Sequence, residues 1–249
     1  MTTNDIIKSK VSRIVKENIT FIIPYLGEYN LLLDLLENIN KLFVHLEKQI
    51  IIIDDGSKNK DFYKSLVKLN KFLIIRHEST KGFAASVNAG LKETRTKYAC
   101  VLHTDTKFFD KNSISNLIKE IKRPELQNVA ILSSVSNNPL VHDDILKRKQ
   151  AEDTPAFVTD KTSLPLYCAL VDVRAILTVN MIPEFPYAWF EDEALCHKLI
   201  KNGYKLAVCP SSHVVHKGMG TIKNLINSDK LILDKMKNNF QLCKKLKTK

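Results

Sequence analysis

The chain has 249 residues, 44% of them hydrophobic and 26% charged, which supplies a sizeable core and matches the ordinary composition of a globular protein. Lys and Arg number 38 against 27 Asp and Glu, a net charge of +11 that suits nucleic acid, anionic lipid or phosphorylated substrates alike and selects none of them. The five cysteines form no CxxC pair and signal neither a disulfide framework nor a zinc knuckle, the apolar runs are far shorter than the ~20 residues of a membrane span, and Met1 to Glu17 lacks the apolar centre of a secretory signal, so a soluble cytoplasmic protein is expected.

Ile19 to Pro24 reads as a buried strand, and Asn30 to Phe43 places Leu32, Leu35, Leu36, Ile39 and Phe43 on one helical face. Gln49 to Asp55 (QIIIIDD) is a second strand that ends in two carboxylates, a glycine and a serine. The alternation continues with a helix over Asp61 to Asn70, a strand over Phe72 to His77, a helix over Ala84 to Glu93, a strand over Tyr98 to His103, a helix over Asn112 to Ile121 and a strand over Val129 to Ser133. Near-continuous apolar strands between helices indicate a doubly wound, Rossmann-like α/β fold, with a mostly parallel central sheet covered by helices on both faces. Residues 138–162 are polar and lack a clear period, which suggests a functional or partly disordered loop. Regular signals return at Leu166 to Val173, in a helix over Glu191 to Asn202 ended by Gly203, and in a last strand over Lys205 to Cys209, followed by a loop SSHVVHKGMG. The basic residues of 222–249 interleave with Leu233, Met236, Phe240 and Cys243 at helical spacing, which reads as a helical tail appended to a domain of residues 1–221. That tail docks on the domain or makes a peripheral contact with anionic membrane.

Ligands of an open parallel sheet collect beyond the carboxyl ends of its strands. Asp54 and Asp55 stand at one such end and His103 and Asp105 at another, YAWFEDE leads into a helix, and His213 and His216 follow the last strand. Each has a plain structural alternative: Asp-Asp-Gly-Ser is a sound turn and helix cap, and acids at a helix start favour its positive end by only ~0.3–1 kcal/mol.

In their order and spacing, however, Asp54-Asp55, GFAASVNAGL, LHTDT, FEDEALCHKLIKNGY and His216 closely resemble the family-2 inverting glycosyltransferases with the GT-A fold, over roughly Ile19 to Gly220. The Asp-Thr ending of the third motif looks most like the rhamnosyltransferase-like subgroup of surface polysaccharide assembly. The resemblance implies that Pro24, Tyr25, Gly82, Asn88, Gly90 and Thr104 lie along the nucleotide sugar, and that Asp54 and Asp55 contact its base and ribose. It implies that Asp105, with His103 and His216 nearby, holds Mn²⁺ or Mg²⁺ against the diphosphate. Asp192, with Glu191 beside it, corresponds to the catalytic base, and the positive end of its helix would hold it ionised.

The implied reaction is inverting transfer of a sugar from a UDP- or dTDP-linked donor to a hydroxyl on a glycan, lipid-linked or protein-linked acceptor, with no role for nucleic acid. A cation neutralises the diphosphate leaving group, and a carboxylate on the opposite face of the sugar takes the acceptor's proton. The sequence departs from the family pattern at three places. His103 replaces the first motif acid, Val87 stands where an arginine often precedes the asparagine, and Pro183 to Phe190 replaces the usual lead into the acidic pair. Phosphate contacts then fall to Lys81, Lys217 or the loop around Arg148. The alternatives are a nucleotide-sugar-binding protein without transferase activity, a zinc module of Cys209, His213 and His216, and a nucleic-acid binder favoured by charge alone.

Overall fold

A computed structural model describes residues 19–136, 154–185, 189–218 and 232–248. The described part opens with β1 (Ile19–Tyr25), α1 (Tyr29–Leu42), β2 (Lys48–Asp54), α2 (Lys60–Lys68), β3 (Leu73–Arg76), α3 (Phe83–Glu93) and β4 (Tyr98–Leu102). It continues with β5 (Thr106–Phe108), α4 (Asn112–Glu120), a single 3₁₀ turn, β6 (Val129–Ser136), β7 (Phe157–Val158), β8 (Cys168–Asp172), α5 (Val173–Thr178), α6 (Glu191–Lys201), β9 (Lys205–His216) and α7 (Ile232–Thr248). Among the described residues the strands form one nine-stranded sheet of order β3-β2-β1-β4-β8-β6-β9-β5, with β7 also paired to β9.

Side-chain alternation along the strands sorts the core into two layers. Phe21, Ile23, Ile50 and Ile52 face Leu32, Leu35 and Ile39 of α1, Leu66 of α2, and Ile114 and Leu117 of α4. Ile22, Ile51, Ile53, Ala99 and Val101 face Ala84, Val87 and Leu91 of α3, Ile176 of α5, and Leu195 and Leu199 of α6. Burial of each isoleucine contributes ~1.5–3 kcal/mol, so the isoleucine run of β2 anchors helices on both faces. Gly90 lets α3 lie close to the sheet, because a Cβ there would sit 2.6 Å from Cγ2 of Ile22.

The four strands β3, β2, β1 and β4 are parallel, and the chain reverses its direction of winding at β1. The crevice between the carboxyl ends of β1 and β4 is therefore the switch point at which such sheets bind ligands. The remaining half is mixed. β8 is antiparallel to both β4 and β6, β5 and β7 are antiparallel to β9, and β6 and β9 are parallel.

Gly203 ends α6 as the sequence predicts. It takes φ +80°, and Tyr204 and Gly203 donate back to Leu199 and Ile200 in a Schellman arrangement. Two readings change. The last strand does not stop at Cys209 but runs to His216, so SSHVVH is strand and not loop. Its second half is held from both sides, by β6 across a register shift and by β5. Of the irregular stretch 138–162, residues 138–153 lie outside the described part, and Phe157–Val158 forms a short strand on β9. No helix among the described residues is long and apolar enough to cross a membrane.

Candidate active site

The acidic pair at the end of β2 is held by the protein itself. Asp54 has no exposed surface; it accepts from the Ser57 amide at 2.8 Å and pairs with the Arg76 guanidinium, which also donates to the Ser57 carbonyl at 2.7 Å. Asp55 meets Nδ1 of His77 at 2.8 Å and accepts from the amides of Lys81 and Gly82, both at 2.9 Å. The turn that follows them needs its glycine, since Gly56 has φ +80° and a Cβ would lie 2.7 Å from the Ser79 carbonyl carbon. The pair thus builds the floor at the strand end, tying β2 to β3 and to the start of α3. Pro24 and Tyr25 lie opposite Ile53 and Asp54 in register. Burial, then the neighbouring Asp54, pushes the Tyr25 phenol well above its ordinary pKa. Tyr25 packs edge-on against Tyr29 and Phe62, an aromatic group that motif reading missed because it is assembled from three separate elements.

The glycine and asparagine segment serves α3. Gly82 precedes the helix with φ +98°, and Gly90 faces Ile22 and Ile53 of the sheet. Asn88 donates to the Ile182 carbonyl at 2.9 Å and to Glu184 at 3.1 Å, and accepts from the Ile182 amide at 3.1 Å. It therefore fastens α3 to the segment that leads toward α6.

His103, Asp105 and His216 come together beyond β4. Their ligand atoms all lie within 4.8 Å of one another, with His216 Nε2 3.2 Å from an Asp105 oxygen. Strand pairing makes this inevitable. Thr106 of β5 is the register partner of His216, and the Lys217 amide donates to the Asp105 carbonyl at 3.1 Å. Thr104, between the two motif residues, is buried. Phe83 packs edge-on against His103 at 4.9 Å, and Tyr167 stacks on His216 at 4.5 Å with 16° between the rings. Burial first, and then His216, pushes His103 down to about 4, which leaves its imidazole neutral near pH 7 and available as a ligand. Burial alone would raise the Asp105 pKa, but the His216 hydrogen bond and the adjacent imidazoles bring it below the usual value. His103 Nε2 is buried without a hydrogen-bond partner. Two imidazoles, a carboxylate and an unused buried nitrogen fit a divalent cation. Among the described residues this is the only such group, so Cys209, His213 and His216 do not form a zinc site, and His213 instead stacks on Phe109.

Glu191 and Asp192 begin α6. The two residues before them, Trp189 and Phe190, have φ +79° and +70°, a left-handed backbone that costs bulky side chains on the order of 1–3 kcal/mol each. Asp192 accepts from the Leu166 amide at 3.1 Å, while one oxygen of each carboxylate is buried without a partner. The helix start does not lower the Asp192 pKa, which stands at about 6, above its ordinary value and low enough to leave the carboxylate mostly ionised near pH 7. Burial raises its pKa, against the Leu166 hydrogen bond, and burial followed by the nearby Asp192 raises that of Glu191. Desolvation outweighs a dipole effect worth only ~0.3–1 kcal/mol near a surface.

Leu166 and Tyr167 connect these acids to the cation group. Leu166 donates to Asp192, the next carbonyl accepts from the His103 amide at 3.0 Å and from Thr106 Oγ1 at 2.9 Å, and the Tyr167 ring covers His216. Neither residue carries a motif, since one acts through its backbone and the other through ring stacking. Lys217 and Lys81 are exposed near the group and near Asp55 respectively, and Arg148 lies outside the described residues.

The sequence model of glycosyl transferase family 2 matches residues 20–161. Poly-β-1,6-N-acetyl-D-glucosamine synthase of Staphylococcus aureus is 26% identical over 207 residues, covering 78% of this chain and 48% of the synthase. The chain thus spans about half the length of the curated relatives it matches. Among solved structures, GalNAc-T7 with UDP, GalNAc and Mn²⁺ aligns with a TM-score of 0.66 at 13% identity, covering 82% of this chain and 44% of that one. The mannosyltransferase PcManGT of Pyrobaculum calidifontis, in complex with GDP-Man and Mn²⁺, aligns at 0.62 and 15%, covering 81% and 57%. S. aureus TarS (residues 1–349) aligns at 0.60 and 14%, covering 81% and 61%. These likenesses establish a GT-A-like fold.

Proposed function

The chain belongs to glycosyl transferase family 2, and from that premise we propose that it is a cation-dependent inverting transferase that moves a sugar from a UDP- or dTDP-linked donor to a hydroxyl of a glycan or lipid-linked acceptor. The observation that carries the proposal is the joining of two groups by one dipeptide. The His103, Asp105 and His216 cluster and the Asp192 carboxylate are both held by Leu166 and Tyr167. His103, Asp105 and His216 would hold Mn²⁺, which neutralises charge developing on the diphosphate. Two imidazoles beside one carboxylate suit Mn²⁺ better than Mg²⁺, which prefers oxygen ligands. Asp192 removes the acceptor hydroxyl proton as its oxygen attacks the anomeric carbon, with Glu191 as the neighbouring acid; a single displacement inverts that centre. The pairing of Asp54 with Arg76 and of Asp55 with His77 supports a role for the acidic pair in shaping the nucleotide pocket beside Tyr25. The Asp-Thr ending of LHTDT supports a rhamnosyltransferase-like placement, residues 1–221 are read as the catalytic domain, and the site of action as the cytoplasmic membrane face.

A hydrolysis screen of UDP-, dTDP- and GDP-sugars with Mn²⁺ or Mg²⁺ tests the reading. The expected result is Mn²⁺-stimulated release of nucleoside diphosphate that falls as pH drops through a limb above the ordinary aspartate value of ~3.9, because a protonated Asp192 cannot accept a proton. Asp192→Asn is expected to cut turnover by ~10²-fold or more and to leave nucleotide affinity nearly unchanged. Absence of turnover with every donor, together with no nucleotide binding by calorimetry, overturns the proposal.

A further inference from the structure

The helix α7 reaches the start of α6 at a left-handed turn of two bulky residues. Cys243 of α7 is buried with Phe185 and with Ala194 of α6, and Phe190 packs against this group. The Phe190 ring meets the Phe240 ring at 5.3 Å, and Lys244 Nζ lies 4.3 Å over the outer face of Phe240. Trp189 and Phe190 are both left-handed, and the Phe190 carbonyl accepts from the Ala194 amide at 2.9 Å. Bulky residues keep such a backbone only where surrounding packing over-determines it. Glu191 and Asp192 follow directly, so the backbone of Phe190 sets the origin and direction of the Asp192 side chain.

We propose that Phe240 is a positioning residue: by seating the Phe190 ring it holds the left-handed turn in place and so aims the Asp192 carboxylate. The inference rests on the reading of Asp192 as the base. It gives α7 a part in turnover through the Phe190 ring. Whatever moves α7 would then change the chemical step and not donor binding, since the donor's pocket and cation group lie at the ends of β1 and β2, in the turn between β4 and β5 and at the end of β9.

The test is Phe240→Ala in the full-length protein, measured on the best-hydrolysed sugar nucleotide of the UDP-, dTDP- and GDP-hexose panel with Mn²⁺. A displacement of about 1 Å can cost ~10²-fold, so kcat is expected to fall ~10-fold or more. KM for the donor and Kd for the nucleoside diphosphate should stay within about twofold, as expected when only transition-state interactions are lost. Phe240→Tyr, which keeps the ring, is expected to restore most of kcat. Should Phe240→Ala fold poorly, Phe190→Gly keeps the question open, because glycine adopts the left-handed backbone without steric cost yet loses the ring that seats it. It should fold normally and still lose kcat. Unchanged kcat in both variants overturns the inference, as does a parallel loss of kcat, nucleotide affinity and thermal stability that Phe240→Tyr does not rescue. Full turnover in Asp192→Asn instead removes the base reading itself, and the inference with it.

Discussion

At His103 an imidazole stands where the family's motif places a carboxylate, and the consequence is a choice of metal. The sequence alone makes Asp105 the carrier of the cation and His103 a weak helper. The geometry puts the His103 ring in the same 4.8 Å cluster as Asp105 and His216, neutral and with a buried nitrogen unused. We therefore predict that His103→Asp, which replaces a nitrogen donor by a hard oxygen donor, shifts the ratio of Mg²⁺- to Mn²⁺-supported turnover upward by ~10-fold, equivalent to about 1.4 kcal/mol. Asp105→Ala loses the metal response with either ion. Metal titrations of sugar-nucleotide hydrolysis in the two variants and the parent check this. An unchanged ratio in His103→Asp takes residue 103 out of the ligand set. Asp105, His216 and Asp192 are legible because a motif marks them. The partners that consume Asp54 and Asp55 are not, because Arg76 and His77 lie a strand away, and nothing local signals that pairing.

The helices and strands that read clearly are those whose apolar pattern is set by burial, on both faces in the isoleucine run of β2 and on one face in α1. The far half of β9 read as loop because Ser211, Ser212 and His213 are polar. Ser212 is nevertheless fully buried, with its hydroxyl 2.8 Å from that of Ser134 on β6. A buried hydroxyl with a hydroxyl partner looks like solvent-exposed sequence until the partner strand is known. The antiparallel direction of β8 was equally hidden, since periodicity carries no sign of strand polarity. Gly90 belongs to this scale. A motif assigns it to the nucleotide, whereas the structure places it where α3 crosses Ile22 and Ile53. Gly90→Ala inserts a Cβ 2.6 Å from Ile22 Cγ2 and forces repacking that typically costs ~1–3 kcal/mol. In a chain of this size each kcal/mol lowers Tm by roughly 2–4 °C, so differential scanning calorimetry should show a drop of several degrees. A variant of unchanged Tm with weakened nucleotide binding would return Gly90 to the pocket.

Across the whole molecule, the excess of positive charge raises the question of what the basic surface faces. The helix α7 docks one side through Cys243 and Phe240 and leaves Leu242, with 42% of its surface exposed, on the side of the helix that carries exposed lysines such as Lys237 and Lys245. A basic helix with an apolar side chain such as Leu242 at its exposed side is suited to the surface of an anionic bilayer, where each nearby Lys contributes about 1 kcal/mol within a Debye length. Docking on α6 and contact with lipid use different sides of the helix, so the two are compatible. We predict that the 249-residue chain co-sediments with vesicles containing about 30% phosphatidylserine but only weakly with pure phosphatidylcholine vesicles. Binding should fall steeply as ionic strength rises, because added salt shortens the screening length. Truncation after Thr221 should abolish it, and it should also lower Tm, since Ala194 and Phe185 lose the cover of Cys243. Equal binding to both vesicle types assigns the charge of the tail to solvation alone, and leaves α7 as a clamp on α6.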